Sequence, residues 1–334
     1  MPVFLFPGQG AQFTGMGMDL YESDVPGVRA LFDAATAILG KDIRELLAAD
    51  PDTLKRTDVS QVAITVASLA AAKALSARGI DPSACAGFSL GEYPALAVAG
   101  VISETDAIAL TVERGRIMQL VADELTAEAV ARAKEASGGV DPDPETLSSC
   151  CPGMTAVIGL SPGKVDEVLA SIGGGAGGKL GVFGANYNSP LQTVVSGTAA
   201  ALAEAEAAFK AAGARRALRL KVAGPFHSPL MAKAGELFSK TLEGVAFADP
   251  KIPLFSNVTG SRVADGAEAK RSAILHISNP VRWTDEEAAI AAFFAGEGAN
   301  LSLVEVGPGK VLSGLWSDSK LAGTAKPYAE FLGA

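Results

Sequence analysis

The sequence predicts an α/β protein in which a large sheet-centred part is interrupted by a smaller α/β unit. Three observations carry this expectation. The chain has 334 residues, 49% of them apolar and 19% charged, enough to bury a sizeable core. Short apolar runs ending in glycine-rich turns alternate with alanine-rich stretches of helical spacing. Residues 154–222 read strand, helix, strand, strand, helix, strand, the βαββαβ order of a ferredoxin-like unit.

Val3–Phe6 is an uninterrupted apolar run closed by Pro7-Gly8-Gln9-Gly10, a central strand followed by a tight loop. Val28–Leu39 and Ile43–Leu47 have helical spacing, and 60–78 is a long alanine-rich helix ended by Gly79. A short strand is expected at 85–88, then helices at 90–99 and 105–121. Residues 124–137 can extend the second of these helices, and 138–145 is polar and rich in Gly, Pro and Asp, so 123–153 is read as a surface insertion. In the small unit, strands are expected at 154–160, 182–186, 193–195 and 217–222, with helices at 161–172 and 199–212. The large part is thus 1–122 and 223–334, resuming with a helix after Pro229 and strands at 253–256 and 301–306.

Composition narrows the function. A formal net charge of −9 disfavours nucleic acid and anionic membranes, and no run of Lys and Arg forms a nucleic-acid footprint. No apolar stretch reads as long enough to cross a bilayer, and the N-terminus lacks the basic region of a signal peptide. Cys85, Cys150 and Cys151 suit neither a disulfide framework nor a zinc site, and point to a reducing compartment. Neither metal nor bound cofactor is expected.

The strongest chemical signal is Gly87-Phe88-Ser89-Leu90-Gly91, which fits G-x-S-x-G between a strand and a helix. A sharp turn there strains the serine backbone and leaves no room for side chains on its flanks. A serine nucleophile needs a base, and the chain has only two histidines. His227 lies in a loop bounded by Gly224, Pro225 and Pro229, well placed to present an imidazole. His276 reads as a capping or half-buried histidine. No carboxylate near either is an evident orienting partner; a backbone carbonyl accepting the Nδ1–H can replace it. The amides of Gln9 and Leu90 can form an oxyanion hole, although Gly8-Gln9-Gly10 alone reads equally well as a plain turn. Arg114, on an apolar helix, either holds a carboxylate or extends to solvent.

Six segments occur in order: Pro7-Gly8-Gln9-Gly10-Ala11-Gln12, Gly87-Phe88-Ser89-Leu90-Gly91-Glu92-Tyr93, Arg114-Gly115-Arg116-Ile117-Met118-Gln119, Pro225-Phe226-His227-Ser228-Pro229-Leu230-Met231, Asn279-Pro280-Val281-Arg282-Trp283 and Glu305-Val306-Gly307-Pro308-Gly309-Lys310-Val311. Together they resemble the malonyl-CoA:acyl carrier protein transacylases, over residues 2 to 316. The resemblance implies an α/β-hydrolase-like large subdomain with an inserted ferredoxin-like small one. It implies Ser89 as nucleophile, His227 as base and oxyanion donors from Gln9 and Leu90. Arg114, Met118 and Phe226 are assigned to substrate binding, with Arg114 on the malonyl carboxylate. His276 matches a position whose backbone carbonyl orients the catalytic histidine.

The implied partners are malonyl-CoA and an acyl carrier protein, and the chain is expected to be a monomer in a bacterial-type cytoplasm or an organelle matrix. Lys210, Arg215, Arg216, Arg219 and Lys221 form the densest basic patch, either a carrier-docking face or a solvated one balancing Glu204 and Glu206. Two departures stand out. Phe88 occupies a position that is commonly His, and the segment between Gln119 and Met154 is longer than a compact member needs. Competing functions are a serine hydrolase or thioesterase, a non-catalytic carrier-binding subunit, and a polyketide acyl loader.

Overall fold

The computed structural model describes residues 2–141, 143, 146, 149–296 and 300–333. Ten strands are found among the described residues: β1 Val3–Phe6, β2 Ala84–Gly87, β3 Gly153–Ile158, β4 Val182–Ser189, β5 Gln192–Gly197, β6 Arg216–Arg219, β7 Phe255–Ser256, β8 Ser261–Arg262, β9 Ser302–Glu305 and β10 Thr324–Pro327. The chain divides into two compact units. One comprises Met1–Arg116, Phe238–Ile274 and Arg282–Ala334, and the other Ile117–Leu237 and Leu275–Val281.

The first unit is built on a parallel sheet of order β10-β9-β1-β2. All four side chains of β1 are fully buried, which is why it reads as a continuous apolar run: a central parallel strand is covered on both faces. A parallel bridge between Cys85 and Leu254 continues the sheet beyond β2, with the Cys85 N–H donating to the Pro253 carbonyl at 2.9 Å. The helix Thr57–Ser76 belongs to the same core and starts three residues before the expected position. It has the length and hydropathy of a membrane span, contrary to the sequence reading, but most of it is buried inside the protein. Its Ala, Ser and Thr side chains let neighbouring elements approach closely. Strand β10 was not foreseen: Thr-Ala-Lys-Pro is a short, half-exposed edge strand ending in proline, too brief for a period-two pattern.

The helix Glu104–Ala136 runs without a break through both the expected helix and its extension. Residues 123–136 of the expected surface insertion are therefore helical, and 142, 144, 145, 147 and 148 lie outside the described residues.

The second unit carries an antiparallel sheet of order β4-β5-β3-β6. Helices Pro162–Ser171 and Ala199–Ala211 are capped by Ser161 and Thr198, whose hydroxyls accept from the Lys164 and Ala201 amides. Val157, Val165, Leu169, Val195, Leu202 and Phe209 form the core between helices and sheet. The segment 275–281 docks on β4: the Tyr187 N–H donates to Val281 O at 2.9 Å and the Val281 N–H to Ala185 O at 2.8 Å.

Candidate active site

In the first unit, the chain leaves β2 through Phe88 and turns at Ser89, whose φ is 50°. Left-handed backbone is costly for any residue with a Cβ, and here the surroundings enforce it. A Cβ on Gly87 would stand 2.1 Å from the Gly91 carbonyl, and one on Gly91 would stand 2.0 Å from the Phe6 carbonyl oxygen. Both flanking glycines are therefore obligatory. The Phe88 N–H donates to Phe6 O at 2.9 Å, tying the turn to β1. The loop after β1 passes close by, since a Cβ on Gly8 would lie 2.5 Å from Phe88 O. Gln9 and Leu90 thus sit on two adjoining loops of one unit. Phe88 packs edge-to-face on Trp283, with ring centroids 5.4 Å apart, which gives this uncommon residue a packing partner.

Beneath the turn is a polar network that sequence reasoning missed. Asn257 Oδ1 accepts the Ser89 N–H at 2.5 Å. Its Nδ2 donates to Gly87 O at 2.5 Å and to Glu286 Oε2 at 2.6 Å. Glu92, the residue after the motif, bonds to the Ser256 side chain and the Asn257 amide. Burial pushes the Glu92 carboxyl up to about 7, against the lowering pull of these hydrogen bonds and of Arg114. Burial, reinforced by the charge of Glu92, holds Glu286 well above the ordinary carboxylate range. The signal available in the sequence was Ser256-Asn257-Val258-Thr259-Gly260, a turn-forming run directly after an apolar strand.

Arg114 is buried, with 1% of its surface exposed, and does not extend to solvent. Its Nη1 donates to Gln61 Oε1 at 2.8 Å, and its guanidinium lies 5.5 Å from the centre of the Tyr93 ring. Nε and Nη2 make no hydrogen bond of good geometry among the described residues, although the Tyr93 hydroxyl interacts with the guanidinium. Burial lowers the Arg114 pKa, with Tyr93 and Glu92 opposing. Arg116, by contrast, is solvent-facing and paired with Glu113 at 2.8 Å.

In the second unit, His227 is also left-handed, with φ 56°, and buried. Its N–H donates to Ile277 O at 3.1 Å. Its Nδ1 lies 3.0 Å from the His276 carbonyl and 3.2 Å from the Asn279 carbonyl. Two carbonyl acceptors place a proton on Nδ1, so that in the neutral ring the lone pair is on Nε2. Asn279 is the partner that sequence reasoning did not name. The His276 ring is buried, its centroid 5.4 Å from that of His227. Ser196 Oγ donates to Phe226 O at 2.5 Å and Ser228 Oγ to Pro225 O at 2.6 Å, so the two carbonyls before His227 are both satisfied. Phe226 and Met118 are buried in this unit. Arg216 and Arg219 on the edge strand β6, Arg215 and Lys221 beside it and Lys210 on the preceding helix are exposed, and Arg219 pairs with Glu206 at 3.2 Å. No group of three His, Cys, Asp or Glu side chains among the described residues is arranged to hold a metal.

The first unit thus holds a glycine-locked serine and a buried cation, and the second a buried histidine whose Nδ1 faces two carbonyls. The family model for the acyl transferase domain matches residues 3–173. The Bacillus subtilis malonyl CoA-acyl carrier protein transacylase is 36% identical over 313 residues, covering 93% of this chain and 88% of that protein. This chain belongs to the malonyl CoA-acyl carrier protein transacylase family. Among solved structures, an acyl carrier protein S-malonyltransferase of Vibrio cholerae superposes with a TM-score of 0.80 at 34% identity, covering 97% of this chain and 96% of that one. A malonyl-transacylase in complex with its type II PKS acyl-carrier protein gives a TM-score of 0.79 at 33% identity, covering 97% of this chain and 94% of that one. Like these transacylases, the chain has an α/β fold.

Proposed function

We propose that the protein transfers a malonyl group from malonyl-CoA to the phosphopantetheine thiol of an acyl carrier protein, through an ester on Ser89. Ser89 Oγ attacks the thioester carbonyl while His227 Nε2 takes its proton. The Gln9 and Leu90 amides hold the oxyanion, and the tetrahedral intermediate collapses to expel the coenzyme A thiolate, which leaves with the proton from His227. The carrier thiol then gives its proton to His227 and attacks the acyl-Ser89, and the serine alkoxide leaves with that proton. The carbonyls of His276 and Asn279 keep Nε2 the basic nitrogen throughout. Arg114 binds the malonyl carboxylate with Nε and Nη2, and Met118 and Phe226 contribute to the acyl pocket.

Arg114 carries this reading. A buried guanidinium with two donors that lack a well-formed hydrogen bond is costly unless an anion completes it, and the malonyl carboxylate is that anion. A thioesterase for uncharged acyl groups has no use for it. The relatives' names support malonyl transfer to an acyl carrier protein, which we read as a step of fatty acid synthesis. The complex with a polyketide carrier supports the related reading of a polyketide loader with the same chemistry. We further read residues 1–122 and 223–334 as an α/β-hydrolase-like catalytic subdomain, a division that differs from the two compact units in assigning 117–122, 223–237 and 275–281 to the catalytic part, and 154–222 as a ferredoxin-like insertion, for which the β4-β5-β3-β6 order speaks. The bacterial relatives favour a bacterial-type cytoplasm, and the β6 basic face is the proposed carrier contact.

Mass spectrometry of the intact protein after incubation with malonyl-CoA tests the function. A malonyl adduct on Ser89 that holo-carrier protein discharges is expected. An adduct discharged faster by water than by carrier would make the protein a hydrolase.

A further inference from the structure

The Asn257 carboxamide grips both flanks of the nucleophile at once, through Ser89 N–H and Gly87 O. We infer that Asn257, oriented by Glu286, is a positioning residue that holds Ser89 left-handed and thereby aims both Ser89 Oγ and the Leu90 amide. This rests on Ser89 being the nucleophile. A left-handed non-glycine residue costs about 1–2 kcal/mol, so the turn must be over-determined by its surroundings. Van der Waals exclusion at Gly87 and Gly91 says where the backbone cannot go; only a directional bond says which way the peptide planes face.

Asparagine is suited to this because one planar group offers an acceptor on one side and two donors on the other. Flipped by half a turn, it would set Nδ2 against the Ser89 N–H and Oδ1 against the Gly87 carbonyl and Glu286. The donor facing donor at Ser89 and acceptor facing acceptor at Gly87 oppose that flip, and Glu286 Oε2, 2.6 Å from Nδ2, anchors the carboxamide in the observed orientation. Glu92 bonds the Asn257 amide and Asn257 O accepts the Arg282 N–H at 2.9 Å, so the main chain carrying the carboxamide is fixed as well. Asn257, Glu92 and Glu286 are all buried, so bulk water offers no substitute partners. Because the Ser89 N–H is committed to Asn257, the amide left to receive the oxyanion from this turn is that of Leu90.

The test is single-turnover acylation by malonyl-CoA, followed by quenched-flow mass spectrometry on N257L, E286L, E286Q and S89A. A merely structural role would lower the amplitude, the fraction of folded sites, and leave the rate constant alone. Mispositioning by about 1 Å should instead slow N257L acylation on the order of 10²-fold, with unchanged half-saturation by malonyl-CoA. E286L should show the same signature more weakly, and E286Q, which keeps an acceptor for Nδ2, should recover most of the loss. An N257L rate constant within about threefold of wild type, less than the worth of one hydrogen bond, overturns the inference. So do equal rates for E286L and E286Q, and that pair decides the matter if N257L does not fold. An adduct on S89A would instead remove Ser89 as the nucleophile, a separate failure.

Discussion

Ser89 and His227 share a backbone state that few non-glycine residues adopt, with φ of 50° and 56°, yet they are held by different means. The serine turn is locked by the absence of Cβ atoms at Gly87 and Gly91 and by buried side chains, Asn257 over Glu286 and Glu92. The histidine loop is locked by main-chain carbonyls, with serine hydroxyls on the two preceding carbonyls. The serine turn therefore depends on which side chains stand around it. The histidine depends on where the backbone runs, so residue identity at 276 is freer than at 257.

The largest difference should appear on adding one methyl group to each region. G91A places a carbon 2.0 Å from the backbone oxygen of Phe6, in a central strand that cannot give way. In G224A, beside the histidine loop, the new carbon meets the Ala122 methyl at 2.8 Å. Denaturant melts should show G91A destabilised by more than about 4 kcal/mol or unfolded, and G224A by about 1–3 kcal/mol. Equal losses would mean that the two strained positions are confined alike.

Arg114 extends the side-chain logic to specificity. R114A should lower kcat/KM for malonyl-CoA by about 10²–10³-fold, the cost of breaking a buried ionic pair, and change acetyl-CoA far less. An unchanged ratio of the two thioesters would move the carboxylate site elsewhere.

The buried carboxylates make the serine side pH-sensitive. A carboxyl whose pKa is raised by folding keeps its proton in the folded state and loses it on unfolding, so stability falls as pH rises between the two values. For Glu92, held at about 7 against the usual 4.5, the fall should run from about pH 4.5 to 7 and then level off. Urea midpoints should drop across this window, and E92Q should make the drop shallower, leaving the share that the buried Glu286 and Glu287 carboxyls contribute. A profile equally steep in E92Q would exclude Glu92 as its source.

H276Q should cost only a few-fold in kcat, because its carbonyl is what the imidazole uses. A loss as large as that of N257L would show that the histidine, too, is held by a side chain.

Much of this was legible in sequence because it depends on local pattern. Continuous apolar runs announced β1, β2 and β9, and the glycines around Ser89 announced the turn by the space they leave. Arg114 was legible as a candidate only; no spacing says whether a lone cation on an apolar helix is buried. Asn257 and Glu286 were missed because each lies far along the chain from Ser89, and they meet only through the fold. Asn279 was missed because it acts through a carbonyl, which every residue has.

The proposed malonyl transfer rests on Ser89 and His227 acting as one catalytic pair. The most direct test is a double-mutant cycle on malonyl transfer with S89A, H227A and S89A/H227A. Residues that act as a unit are grossly non-additive, so the double variant should be no slower than S89A alone, within about threefold. A double variant slower by the product of the two single losses would show that the two residues act independently, and would contradict the pair.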